Sequence, residues 1–298
     1  MLQLFCAMNI NAQIIMPQEL VINEILFNPV NDGYDYVEVY NRSNIAININ
    51  ELLLANRNAE DRIASAKNVS KESLTIAPGG YFVITPSPHW LKQHYSVPDS
   101  VIIVQVTSLP SLPDNEGCIL LLRKSDSMII DELAYDEKWH IKLIADPEGV
   151  ALERINYDAV TQDKNNWTSA SSSSGSGTPG YINSQFRRSQ NENAAISVQP
   201  EIFSPNNDGQ NDFALINIKT EEQGKVANAV VFNAAGRRVR YLLKNEVLGL
   251  SNNFTWDGYG DNDELLPSGI YIIFTQVFDG KGAVNKYRNC IVLDSFPP

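Results

Sequence analysis

Apolar residues in this chain almost never recur at the three- and four-residue spacing of a helix face. They come instead in short runs separated by Pro, Gly, Asn and Asp. Such a chain buries its apolar surface by stacking sheet on sheet. In the first part the runs fall at 19–27 (stopped by Asn28-Pro29), 34–40, 51–55, 73–76, 81–85, 101–106, 118–123, 128–135 and 149–156. One short helix is expected at 88–95, ending before Val97, whose backbone Pro98 restricts. In the last part, runs at 196–198, 213–218, 225–232, 238–243, 252–256, 269–278 and 284–293 give the profile of an Ig-like sandwich. Between the two lies SASSSSGSGTPG at 169–180, too polar and repetitive to form a core. It reads as a linker or a long loop. The expected division is a leader (1–17), a first β-sandwich (18–168), a Ser/Gly-rich linker or long loop (169–195) and a second β-sandwich (196–298).

Of 298 residues, 43% are hydrophobic and 19% charged, which suits two folded domains and not a disordered chain. The net charge is −12, with an acidic excess in both halves. Neither half offers the basic face that releases counterions from a phosphate backbone, so nucleic acid is not an expected partner. No apolar run reaches the roughly 18 residues of a spanning helix, so no transmembrane helix is expected. Residues 1–13, MLQLFCAMNINAQ, resemble the end of a secretory signal peptide with cleavage after Ala12, although no Lys or Arg precedes the apolar run. Cys6, Cys118 and Cys290 are too few and too scattered for a disulfide framework or a zinc site. Cys118 and Cys290 lie in apolar strand runs and are expected to be buried as small hydrophobes.

The chemistry-bearing patterns are weak. Gly175, Gly177 and Gly180 satisfy GxGxxG, but they follow a serine tract and lead into no helix, as a dinucleotide site requires. His89 and His94 are five residues apart and share no helix face; His140 stands alone, and no HExxH or GxSxG occurs. Two oxygen-rich loops are candidates for Ca²⁺: one with Asp208 and Asp212, the other with Asp257, Asp261 and Asp263. Neither has EF-hand spacing, and Asx turns between strands are the alternative reading. Glu24, Asp35 and Glu38 look like a carboxylate cluster; the plainer expectation is that they accept from turn amides or face solvent. Trp90, Tyr95 and Trp139 are candidate interaction aromatics carried on loops, while Trp167 and Trp256 read as core anchors.

The first block resembles the lamin tail domain family. The resemblance is carried by INEILFNP at 22–29, GYDYVEVYN at 33–41, Leu52-Leu53-Leu54, and Leu74 with APGGYFVI at 77–84. Leu152-Glu153-Arg154, Asn166-Trp167-Thr168, Thr178-Pro179-Gly180 and Asn183-Ser184 resemble the closing signature of bacterial members. The second block resembles the Ig-like domain of the flagellar hook-cap protein and the C-terminal modules of gliding-motility and type IX-exported proteins. It does so through FSPNNDGQND at 203–212, Val231-Phe232-Asn233, Gly236-Arg237, Trp256-Asp257-Gly258 and LPSGIY at 266–271. The resemblances imply an all-β protein of two Ig-like antiparallel β-sandwich domains.

They also imply function. The first expectation is a non-catalytic module of the cell surface, outer envelope or exterior that presents loops to an envelope protein or a glycan. The alternative is an export or surface-anchoring unit, with the C-terminal domain as its address. A hydrolase is the least favoured, because bacterial lamin tail domains often accompany hydrolases but no catalytic block is present here.

Overall fold

The structure is a computed structural model that describes residues 14–187, 195–279 and 282–294. The signal-peptide resemblance at 1–13, Cys6, the end of the expected linker and the last four residues lie outside the described residues. The first part holds β1 (Leu20–Leu26), β2 (Tyr36–Asn41), β3 (Ile47–Asn48), β4 (Leu52–Arg57), β5 (Ile63–Asn68) and β6 (Thr75–Ile76). It continues with β7 (Tyr81–Thr85), α1 (Pro88–His94), β8 (Ile102–Gln105), β9 (Glu116–Arg123), β10 (Ile129–Asp136), β11 (Leu152–Arg154) and β12 (Trp167–Ser169). A six-stranded sheet ordered β12-β11-β1-β2-β7-β8 faces a four-stranded sheet, β10-β9-β4-β5. Only β7 and β8 of the larger sheet run parallel.

Strand β1 decides how this sandwich is built. Every one of its residues is buried, so both faces of the larger sheet are covered. A bulge between Ile22 and Glu24 breaks the two-residue alternation. Leu20 and Ile22 before it, and Ile25 and Phe27 after it, join one core with Val37, Val39, Leu54, Phe82 and Leu121. On the other face Leu26, Tyr36 and Val83 pack under Trp90 and Leu91 of α1, with Tyr95, Ala151 and Ala170. Ser87 caps α1 by accepting from Trp90 N, and Pro88 begins it, so the helix is fixed where it covers the sheet.

The second part holds β13 (Ile196–Gln199), β14 (Ile202–Phe203), β15 (Ala214–Lys219), β16 (Lys225–Asn233), β17 (Arg238–Leu248), β18 (Ser251–Trp256), β19 (Gly269–Phe278) and β20 (Val284–Leu293). Sheets β13-β15-β18 and β14-β20-β19-β16-β17 enclose its own core. Trp256 is 1% exposed there, with Phe203 and Tyr271 at ring distances of 5.2 and 5.3 Å. Cys290 departs from the expectation of burial: it is exposed, because Ile291 takes the inward position on β20. Cys118 is half-buried.

The residues after β12 do not leave the first sandwich. Ser169, Ala170, Ser171, Thr178, Asn183 and Gln185 are all buried, and the serine tract runs along the outer face of the six-stranded sheet. From there it touches the second sandwich. Ser172 N donates to Asn207 O at 3.0 Å, and Ile155, Phe213 and Leu215 form a small apolar cluster between the two parts.

Candidate functional site

Beneath the serine tract, Glu24 is the register partner of Glu153 on one side and of Glu38 on the other. Three carboxyls thus stand side by side across β11, β1 and β2, each fully buried. Adjacent like charges on a sheet repel, and burial disfavours ionisation further. Their surroundings compensate with donors from one loop. Thr178 N donates to Glu24 at 3.0 Å, Gly180 N donates to Glu38, and Ser184 Oγ and Gln185 N donate to Glu153 at 2.8 and 3.1 Å. Tyr36 OH also donates to Glu24, and Asn23 joins Glu38 and Asn183 at 2.7 and 2.6 Å.

The Thr178 hydroxyl lies 2.6 Å from Glu24 Oε2 and 2.7 Å from Glu153 Oε1. A hydroxyl carries a single proton, so it donates to one carboxyl, and the other approaches its lone pair as a protonated acid. Burial, and then the Glu153 charge, raise the pKa of Glu24 to about 8. Burial likewise lifts Glu38 well above the usual carboxylate range and raises Glu153. The row is therefore a clamp that holds the 178–185 loop and shares a proton at neutral pH. Gly180 sits in it at φ +100°, where a Cβ would fall 2.8 Å from the Val101 side chain.

The expectation for Glu24 and Glu38 holds in one half: they accept from turn amides, but neither faces solvent. The third member is Glu153; Asp35 lies apart, and burial with the nearby Asp114 charge raises it to about 7. Beside the clamp, Arg154 is 0% exposed and pairs with Asp131 at 3.3 Å, with further bonds to Ile22 O and Thr161 Oγ1 at 2.8 and 2.6 Å.

The other sequence candidates divide into two places. Asp208 and Asp212 lie in the loop that meets the serine tract. Asp212, 2% exposed, accepts from Gly209 N at 2.9 Å, Asp208 N at 3.2 Å and Gln185 Nε2. Asp208 accepts from Gln210 N at 2.7 Å. Gly209, at φ +87°, lies so close to Ser171 that a Cβ would stand 2.8 Å from its hydroxyl. Asp257, Asp261 and Asp263 lie in the loop after β18. Asp257 accepts from Tyr259 N at 3.2 Å, and Asp261 accepts from Tyr241 N at 2.9 Å. Asp263 pairs with Lys142 across the two sandwiches, which lowers its pKa. Among the described residues, no three His, Cys, Asp or Glu side chains are grouped so as to hold a metal.

Trp90 and Tyr95 do not form a free loop face. Trp90 is within α1 and 8% exposed, stacked on His94 at 4.3 Å; Tyr95 caps the helix, 7% exposed, and donates to Gly149 O at 2.8 Å. Trp139 is half-buried at the edge of a cleft of about 300 Å³ between the sandwiches, which Asp257 also lines. Sequence reasoning missed this cleft, whose walls come from segments some hundred residues apart.

Most residues of the clamp belong to the motifs quoted above, whereas the apolar junction of Ile155, Phe213 and Leu215 does not. Two family models match the chain, and Glu153 and the 178–185 loop lie between the matched segments. The lamin tail domain matches residues 16–137, and the CHU_C type IX secretion signal domain matches residues 196–293. Residues 16–137 carry a lamin tail domain, and residues 196–293 carry a type IX secretion signal domain. Of the two resemblances carried by the C-terminal part, the type IX one is the model that matches. Both families are structural or secretion-signal families, not enzyme families, and the second marks the chain as exported to the cell surface.

No curated protein matches the chain. Solved structures similar in part include the following three. CopC from Methylosinus trichosporium OB3b is 15% identical over 28% of this chain and 78% of its own, with a TM-score of 0.21. Dimeric latent PorU from Porphyromonas gingivalis is 10% identical over 88% of this chain and 18% of its own, at 0.26. PorZ, a surface component of the type IX secretion system of the same organism, is 12% identical over 91% of this chain and 38% of its own, at 0.23. The chain thus spans less than two fifths of either Porphyromonas protein, and the assignment rests on the family models alone. No helix among the described residues is long and apolar enough to cross a membrane.

Proposed function

We propose that the chain is a non-catalytic surface module in which the C-terminal sandwich is the export address and the lamin tail domain is the displayed passenger. The match of residues 196–293 to a type IX secretion signal domain carries this reading. The chemistry of the passenger supports it. Its buried carboxyls accept from turn amides and hydroxyls, and its buried arginine is held by Asp131 and a backbone carbonyl, so these groups serve the fold. The packed junction supports a second point: address and passenger are fastened together through Phe213, Gln185 and the serine tract. The test is to fuse residues 196–298 to a periplasmic reporter in a host with type IX secretion. Delivery of the reporter to the outside of intact cells is expected. Retention in the periplasm would overturn the address reading and leave the module as a spacer.

A further inference from the structure

The outer face of the five-stranded sheet is used neither by the clamp nor by the junction. The first sandwich meets the other side: Phe213 and Leu215, just before and within β15 of the three-stranded sheet, pack against Ile155. Pairing register sets apolar side chains in rows across the outer face. Ile202, Val292 and Ile270 form one row over β14, β20 and β19, with Ile202 57% and Ile270 53% exposed. Phe274, Val230 and Tyr241 form another over β19, β16 and β17, and Phe232 stands edge-on to Phe274 at 6.5 Å. A contiguous apolar face of this kind on a folded domain marks an interaction surface.

Its charge says what covers it. The five strands carry Lys225, Arg238, Arg240, Lys244, Lys286 and Arg288 against a single acid, Glu246, which pairs with the inward Ala227 and lines the cleft. The outward side chains are therefore basic, on a chain of net charge −12. Lys286 and Arg288 edge the apolar rows on β20, and Lys244 edges them on β17; all three are exposed and make no ion pair among the described residues. Arg238, on the same strand as Lys244, is 3.7 Å from Asp261 and is already engaged. Arg288 lies over the Phe274 ring at 5.3 Å and Lys244 over the Tyr241 ring at 4.6 Å, so the charges sit beside a flat apolar field. A second copy laid on this face would set cation against cation with no acid to answer. The headgroup layer of an anionic membrane matches both parts, since phosphates meet the cations and the acyl boundary meets the apolar rows.

From these groups we infer that the outer face of the five-stranded sheet docks on an anionic lipid surface. Lys244, Lys286 and Arg288 meet lipid phosphates, and Ile202, Ile270 and Val292 enter the boundary beneath them. The lamin tail domain, joined at the three-stranded side, then points away from the membrane. This deepens the surface-module reading by naming the partner class. It rests on that reading only for which membrane is met, since lipid binding by the purified chain is independent of export.

The experiment is flotation of the full chain with vesicles of phosphatidylglycerol and phosphatidylcholine in equal parts, and with vesicles of phosphatidylcholine alone. The chain is expected to float with the anionic vesicles only, and to be released as salt is raised. Each basic residue near an anionic surface strengthens binding about fivefold, so K244E/K286E/R288E is expected to weaken it about a hundredfold. I202S/I270S is expected to weaken it severalfold. Both variants alter only exposed side chains and are expected to keep the melting temperature. K71E/K92E, which reverses two exposed cations of the first sandwich, is expected to bind like the parent. No flotation with anionic vesicles, equal flotation with neutral ones, or unchanged binding in either face variant would overturn the proposal. Equal affinity for a soluble polyglutamate peptide would overturn it in favour of an acidic protein partner, and a dimer lost in I202S/I270S would overturn it in favour of a second copy.

Discussion

Replacing Thr178 with Val tests the clamp at its centre. The two side chains have nearly the same shape, so the substitution removes the hydroxyl between Glu24 and Glu153 and little else. Each carboxyl loses a buried partner. A hydrogen bond to a charged or proton-sharing group contributes about 1.5–3 kcal/mol, so the variant is expected to lose about 3 kcal/mol. Against a total stability of roughly 5–15 kcal/mol this is a large share. Thr178→Ser keeps the hydroxyl and is expected to cost about 1 kcal/mol or less. The assay is urea unfolding followed by tryptophan fluorescence, paired with limited proteolysis of the 169–180 segment. Thr178→Val should lower the midpoint and speed nicking within the serine tract. A change under about 0.5 kcal/mol with unaltered proteolysis would refute the clamp, because mutated sites away from such features typically move stability that little.

The same row gives a pH dependence. Burial lifts the folded pKa of Glu24 to about 8 from an ordinary value of 4.5, so the folded state holds a proton that the unfolded chain releases. Its contribution is present below about pH 4.5 and is lost as pH rises through 8, with a slope of up to about 1.4 kcal/mol per unit. Melting temperature should therefore fall across that window, and Glu24→Gln should flatten the slope. Asp131→Asn strips the charge partner of buried Arg154 and is expected to cost about 3 kcal/mol by chemical denaturation. Phe213→Ala opens the cluster with Ile155 and Leu215; it is expected to cost about 3–5 kcal/mol and to split a single unfolding transition into two in calorimetry. Millimolar Ca²⁺ is expected to leave the melting temperature unchanged, since the oxygens of Asp208, Asp212, Asp257, Asp261 and Asp263 already engage amides and cations; a rise would show a bound ion.

Much of the fold was legible because both sandwiches announce their strands by burial. The strands expected at 81–85, 269–278 and 284–293 are those observed, and α1 lies within the expected 88–95. Strand β5 escaped because IASAKN is an exposed edge, paired only with β4, and buries little that a pattern could reveal. Strands β3 and β14 are two residues each, too short to show any alternation. The serine tract was harder, since its composition argues against a core and its partners lie far off in sequence. Thr178 meets Glu24 across 154 positions, and Ser172 meets Asn207 across 35. Composition reports what a segment can bury by itself, whereas here the sheet supplies the burial. The carboxylate row was half legible for the same reason. Glu24 and Glu38 stood out in apolar strands, but only register could pick Glu153 over Asp35.

The most direct test of the central claim is where the full-length chain ends up. It would be tagged internally, expressed in its native host and in a derivative lacking the type IX translocon, and exposed to protease on intact cells. Digestion in the parent and protection in the derivative is the predicted result. Protection in both strains, with the protein in the cytoplasmic fraction, would contradict the account and make the lamin tail domain an intracellular module.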